Sequence, residues 1–135
     1  MTNISNLRAL IIDDVATVRT ILTKNLKSLG ITEISTSDSI EDAWIKIMKS
    51  YDTELPIDII FSDWNMTGGD GIDLLKRIRS SEDDKIRLSK FIMVTGAHNK
   101  VLEAMDEGAN NIIHKPFSSA IIKSKLELIY GSLNK

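Results

Sequence analysis

The chain contains no cysteine, so it holds neither a disulfide framework nor a thiolate zinc site. It has no apolar run near the ~20 residues that span a bilayer. Its amino-terminal stretch, Met1-Thr2-Asn3-Ile4-Ser5-Asn6, is polar and lacks a basic leader. No membrane insertion is expected, and the cytoplasm is the default compartment. A strong charge of either sign is missing too: 17 Lys and Arg stand against 19 Asp and Glu, for a formal net charge of −2. That balance draws the protein neither to phosphate backbones nor to anionic membranes, so nucleic acid is not an expected direct partner. There is no low-complexity segment. The 135 residues suffice for one domain that buries most of its unfolded surface, expected over 1–135 with an ordered core over about 7–133 and no attached output domain.

What the sequence does have is a repeated alternation of short apolar runs and amphipathic stretches. Leu7 to Ile12 is a compact apolar run that stops at Asp13-Asp14. Val15, Val18, Leu22, Leu26 and Leu29 then recur at spacings of three and four, a helical stripe closed by Gly30. Ile31 to Ser37 reads as a short second strand. Asp38 with Glu41 reads as a capping pair for a helix that turns Ile40, Ala43, Trp44 and Ile47 inward. The run Ile57 to Met66 follows, a buried parallel strand that delivers Asp63 to its end and empties into Thr67-Gly68-Gly69-Asp70-Gly71.

Asp70 with Asp73 can cap a third helix bearing Ile72, Leu75 and Ile78, and Ser80 to Lys85 reads as a solvated loop. Phe91 to Val94 is a fourth strand ending at Thr95-Gly96. Ala97 to Glu107 is a weaker helix with Val101 and Met105 inward, closed by Gly108. Asn111 to Ile113 is a fifth strand reaching Lys115-Pro116. From Ser118 a terminal helix carries Ile122, Leu126, Ile129 and Leu133 on one face. Five such alternations imply an α/β fold: a doubly wound, five-stranded parallel sheet with helices on both faces.

If the strands are parallel, Asp13, Asp14, Asp63, Thr95 and Lys115 all project from one edge of the sheet, where open α/β sheets carry their chemistry. Packed carboxylates repel one another, and an all-oxygen cluster with room for water suits Mg²⁺. A carboxylate can also act as a nucleophile toward phosphorus if the incoming charge is neutralised. Lys115 and a metal would do that, and Thr95 adds a hydroxyl donor.

The motifs Ile11-Ile12-Asp13-Asp14, Asp63-Trp64-Asn65-Met66 with Asp70-Gly71, Val94-Thr95-Gly96 and Lys115-Pro116-Phe117 stand in an order and spacing that resembles the receiver domain of two-component response regulators, particularly the single-domain chemotaxis type. The resemblance covers nearly the whole chain. It implies a flavodoxin-like sheet of strand order 2-1-3-4-5, with Asp63 as phosphoacceptor and Mg²⁺ held by Asp14, Asp63 and the backbone carbonyl of Asn65. It further implies that Asp13 holds metal-bound water, that Lys115 contacts the phosphoryl group, that Thr95 closes on it as the switch, and that the Lys115-Pro116 bond is cis. The implied partners are a histidine kinase as phosphodonor, an output protein such as a flagellar motor switch component that meets the surface near the fourth and fifth helices, and a phosphatase. The protein is expected to be a monomer, and not a multi-turnover enzyme.

Three positions depart from the family pattern. Ile112 stands where an aromatic ring is common, so output runs either through repacking of Ile112 or through backbone shifts of the neighbouring loop and helix. Thr67 replaces a usual proline before Gly68-Gly69, which predicts a more mobile loop. Val15 replaces a bulkier residue beside the acidic pair. His98 and His114 read as surface or loop residues, which sets aside a phosphodonor role. Two other readings compete. One is a small phosphatase of the haloacid dehalogenase kind, suggested by Asp63-Trp64-Asn65-Met66-Thr67, in which Asn65 lacks the needed acid-base carboxylate. The other is a flavodoxin, for which no Ser/Thr/Gly-rich loop follows the first strand. A phosphate sink or relay intermediate is the variant within the leading reading.

Overall fold

A computed structural model of the chain describes residues 3–66, 68–96 and 100–133. The elements run β1 (Arg8–Ile12), α1 (Ala16–Ser28), β2 (Glu33–Ser37), α2 (Ile40–Asp52), β3 (Ile59–Asp63), β4 (Asn65–Met66), β5 (Gly69–Asp70), α3 (Gly71–Arg79), α4 (Asp84–Arg87), β6 (Lys90–Thr95), α5 (Val101–Asp106), β7 (Asn111–His114) and α6 (Ser119–Tyr130). Five parallel strands form one sheet in the order β2-β1-β3-β6-β7, the order 2-1-3-4-5 of the long strands. Asn65↔Asp70 and Met66↔Gly69 add a small antiparallel hairpin. Two-residue strands have no periodicity to read, which is why the sequence does not announce this hairpin.

The sheet separates two apolar layers. On one side Leu22 and Leu26 of α1 and Ile122 and Leu126 of α6 pack on Ile11, Phe61, Ile92 and Ile113. On the other, α2, α3, α4 and α5 cover Leu10, Ile60, Phe91 and Ile112, with the Trp64 ring buried among them. β3 lies at the centre with neighbours on both sides, and its first four residues are buried, so its continuous apolar run is what a doubly covered parallel strand needs.

Helix ends explain most element boundaries. Gly30 has φ +102°, and Ile31 N–H donates to the Leu26 carbonyl at 3.0 Å while Gly30 N–H donates to Lys27, a left-handed close to α1. Gly108 repeats the arrangement for α5, with φ +102° and Ala109 N–H donating to the Ala104 carbonyl. The cap of α2 is Ser39, whose hydroxyl accepts from Asp42 N–H at 3.1 Å, one residue along from the expected Asp38–Glu41 pair. Asp70 occupies the cap position of α3 without a side-chain cap bond.

Several expectations shift. Val15 is the N-cap of α1 and 49% exposed, not part of the buried stripe. Met105 is 43% exposed, whereas Ala104 is buried and Val101 packs half-buried against the core as expected. Trp44 is only half-buried, packed against the core edge with the Arg77 guanidinium 5.2 Å from its ring centroid. α6 ends at Tyr130, and Leu133 is buried beyond it. The expected loop from Ser80 runs into α4, whose cap Asp83 accepts from Lys85 N–H and Ile86 N–H and which inserts Ile86 into the core. His114 is the last residue of β7 and half-buried. Thr67 and His98, and the start of the helix expected from Ala97, lie outside the described residues.

One tie holds the layer of α3, α4 and α5 together. Arg79, at the last turn of α3, donates to the carbonyls of Arg87 and Ser89 at 2.7 Å each, to the Gly108 carbonyl at 3.0 Å and to Asn110 Oδ1 at 3.0 Å. Burial pulls the Arg79 pKa down, since these acceptors are neutral. Arg79→Met fills the same space but strands the carbonyls that Arg79 serves. It should lower unfolding stability by about 2–4 kcal/mol, read from urea denaturation midpoints.

Candidate functional site

Parallel pairing brings the acidic strand ends together. Ile12 is aligned with Ser62, so Asp13 and Asp63, each one residue further along, leave β1 and β3 side by side. Carboxylate oxygens of Asp13, Asp14 and Asp63 lie within 4.8 Å of one another. Asp13 is 1% exposed, Asp63 is half-buried and Asp14 faces solvent. Lys115, just past β7, reaches back so that its Nζ lies 3.1 Å from Asp13 Oδ2 and 3.3 Å from Asp63 Oδ2. The Lys115-Pro116 peptide is cis.

The backbone fixes both carboxylates. Asp13 Oδ1 accepts from Val15 N–H at 2.9 Å, while the Asp13 carbonyl accepts from the Arg19 guanidinium at 2.7 Å. Asp63 Oδ1 accepts from Trp64 N–H at 2.7 Å. Behind Asp63 the chain turns tightly: Gly71 N–H donates to the Trp64 carbonyl at 2.7 Å, and a Cβ at Gly71 would overlap the Asp63 carbonyl oxygen. Gly71 is therefore required by close approach. A glycine opening a helix, the poorest non-proline choice there, is the one sequence sign of it. Thr95 is buried at the end of β6, one residue beyond the Asp63↔Val94 pair, and its carbonyl accepts from Lys115 N–H at 3.0 Å. Asn65 sits on the hairpin with its side chain exposed. The structure thus gathers Asp13, Asp14, Asp63 and Lys115 in one cluster and ties Thr95 to Lys115 through the backbone.

Electrostatics follow from the packing. Burial raises the Asp63 pKa, the Lys115 ammonium lowers it and the Asp13 charge raises it again, for a net upward shift. For Lys115, burial works against the charged form, but its bonds to Asp13 and Asp63 outweigh that and raise its pKa. Three carboxylates thus face one ammonium, and the donor set is all oxygen. Such a set fits a hard divalent cation like Mg²⁺ better than a soft metal.

Residues 9–127 match the family described as the response regulator receiver domain. The chain belongs to that family. The receiver is 34% identical over 128 residues to the chemotaxis protein CheY1 of Helicobacter pylori, covering 93% of this chain and 98% of that protein. It is 36% identical to the chemotaxis protein CheY-3 of Vibrio cholerae, covering 95% of each. Among solved structures it is similar to the CheX-CheY-BeF3-Mg²⁺ complex of Borrelia burgdorferi, with 28% identity, TM-score 0.80, and coverage of 91% of this chain and 88% of that one. Chemotaxis regulator CheY4 of Vibrio cholerae shares its fold at TM-score 0.77. The receiver match gives no support to the phosphatase reading. No helix among the described residues is long and apolar enough to cross a membrane.

Because the folded receiver holds the Asp63 proton more tightly than the unfolded chain does, ionised Asp63 costs stability above its raised pKa and nothing below the ordinary value of 3.8. Asp63→Asn removes that cost. Without divalent cations, the variant should melt at a higher temperature than the wild type at pH 7, and the gain should shrink as pH falls toward 4, as followed by calorimetry across that range.

Proposed function

We propose that this receiver is a phosphorylation-controlled switch of the chemotaxis type, with Asp63 as its phosphoacceptor. The carrying observation is that Lys115 bridges Asp13 and Asp63 at 3.1 and 3.3 Å, so one ammonium already serves the carboxylate that would react and its buried neighbour. In this reading an Asp63 carboxylate oxygen attacks the phosphorus of a kinase phosphohistidine. The O–P bond forms as the P–N bond breaks, and the imidazole nitrogen keeps the electron pair. Lys115 meets the transferred oxygens. The buried Thr95 hydroxyl, tied to Lys115 through the backbone, closes on the phosphoryl group and carries its arrival into the β6–α5 segment.

Asp13, Asp14 and Asp63, with the Asn65 backbone carbonyl, would hold Mg²⁺, which when bound supplies positive charge to the phosphoryl oxygens. Asp13 and Asp14 orient the site, and Asp63 alone changes covalently. The output surface is the β7 edge of the sheet with α5 and α6, which carry the exposed Leu102 and Leu128. Its partner is a motor switch component or another chemotaxis protein, and the receiver works in the cytoplasm and assists its own phosphorylation and dephosphorylation. The support is the family match, the relatives named above and the acidic cluster.

Intact-mass analysis tests the acceptor. With acetyl phosphate and Mg²⁺ the wild type should gain one phosphoryl group and Asp63→Asn none; an equal gain in both would move the acceptor elsewhere. Trp64 reports the metal, since it adjoins Asp63. In a Trp44→Phe background, Mg²⁺ should change tryptophan fluorescence in the otherwise wild-type protein and much less in Asp14→Ala, and equal changes would remove Asp14 from the metal site.

A further inference from the structure

Among the described residues, the amino end of α5 lacks the usual features of a helix start. Its cap position is held by Lys100, which makes no side-chain cap bond, and the first turn carries a single acid, Glu103. A cation there meets the positive end of the helix dipole, and lysine offers no acceptor to the unpaired N–H groups. The helix itself has little to spare: it is six residues long, Ala104 is its buried residue, and Leu102 is 78% exposed. What Lys100 does make is a contact with Trp64, its Nζ lying 4.9 Å from the ring centroid. The Trp64 ring is 2% exposed, and its backbone N–H is the group that donates to Asp63 Oδ1. Local rules broken in this way are expected where a side chain serves something other than stability of its own element.

We infer that Lys100 is a positioning residue: its cation–π contact with Trp64 latches the amino end of α5 to the residue that holds Asp63, while Arg79 pins the carboxyl end. The inference rests on Asp63 being the phosphoacceptor. The two ends are held differently. Arg79 bonds the Gly108 carbonyl and the Asn110 side chain directly, and Asn110 Oδ1 also accepts from Phe91 N–H at 2.8 Å, so the carboxyl end is locked to β6. Among the described residues, the amino end is held by the Lys100 ammonium over the Trp64 ring and by the half-buried Val101 against the core, with no hydrogen-bonded lock like that of Arg79. α5 is therefore a lever hinged at Gly108 and latched at Lys100. A phosphoryl group on Asp63 occupies a carboxylate oxygen, disturbs the Trp64 N–H bond and brings about two negative charges that compete with the ring for the ammonium. Release of the latch frees α5 at the end nearer Thr95. This supplies a route from Asp63 to the helix without an aromatic ring at position 112, where the buried Ile112 packs in the same apolar layer as Trp64.

The test compares Lys100→Met, which keeps the length of the stem and loses the charge, with Lys100→Arg, which keeps the cation. Site-resolved amide exchange is measured over Val101–Asp106 in the full chain without phosphodonor. The latch predicts exchange about three- to tenfold faster in Lys100→Met and near wild-type rates in Lys100→Arg, the range expected from a partly exposed cation–π contact. A role confined to the helix dipole predicts the opposite sign, because removing a cation from a helix start slows its exchange. Unchanged or slower exchange in Lys100→Met would overturn the latch. Adding beryllofluoride with Mg²⁺ should speed exchange of the same segment in the wild type and add little in Lys100→Met; an equal increment in both would also overturn it. Phosphoryl uptake on acetyl phosphate is read by mass in the same samples. Wild type that gains no mass while the unphosphorylated comparison still gives the predicted increase would refute the acceptor assignment and leave the contact itself established.

Discussion

The arrangement depends on one ammonium shared between two carboxylates. Asp13 and Asp63 end adjacent parallel strands and are forced together by the β1–β3 register, with Asp14 beside them. That register is set by apolar residues such as Leu10, Ile11, Ile60 and Phe61, which are fully buried and would all change face on a one-residue slip. Hydrophobic burial thus imposes the charge crowding, and Lys115, delivered by β7 from beyond β6, offsets part of it. Burial, more than the Asp13 charge, still leaves the Asp63 pKa raised despite the Lys115 ammonium. A site left short of positive charge is suited to accept a cation or to place the lysine where new anionic oxygens arrive.

The five long strands are legible in the sequence as short runs between helical stripes, and the meeting of Asp13, Asp14, Asp63 and Lys115 follows from polar residues at their ends, whereas the strand order comes with the resemblance to the receiver family and not from the pattern of apolar runs. Fine structure is less so. Ser39 caps α2 in place of Asp38 because a hydroxyl at the cap position itself can reach Asp42 N–H, and sequence spacing alone does not choose between adjacent polar residues. α4 carries one buried residue, Ile86, and a single anchor has no period. Val15 and Met105 fit helical spacing yet face solvent, since the period tells which residues share a stripe and not how wide the covered stripe is. The contacts of Arg79 and Lys100 were illegible, as both join segments distant in sequence.

Rigidity is unevenly distributed around the site. Asp63 is held by its own chain on one side and by Gly71 packed against its carbonyl on the other, and α3 starts directly from that contact. Nothing at this end can shift without moving a whole helix that buries Ile72, Leu74, Leu75 and Ile78. Across the sheet edge, α5 buries one residue. A group added at Asp63 would therefore work against a firm support on the α3 side and a more compliant one on the α5 side, with motion following the weaker contact.

The sheet's division of the core into two layers has an evolutionary reading. Trp64, Ile112, Ala104 and the α3 residues belong to one layer, whereas α1 and α6 pack in the other behind five continuous strands. A substitution such as Leu22→Val or Leu126→Met on the α1/α6 side draws on stability with the sheet interposed before the α5 lever. One at Ile112 or Ala104 touches the lever's own bed. The two faces of this small domain are consequently open to different kinds of drift: one can accumulate changes limited by folding alone, the other only changes that also leave the balance between its two arrangements intact.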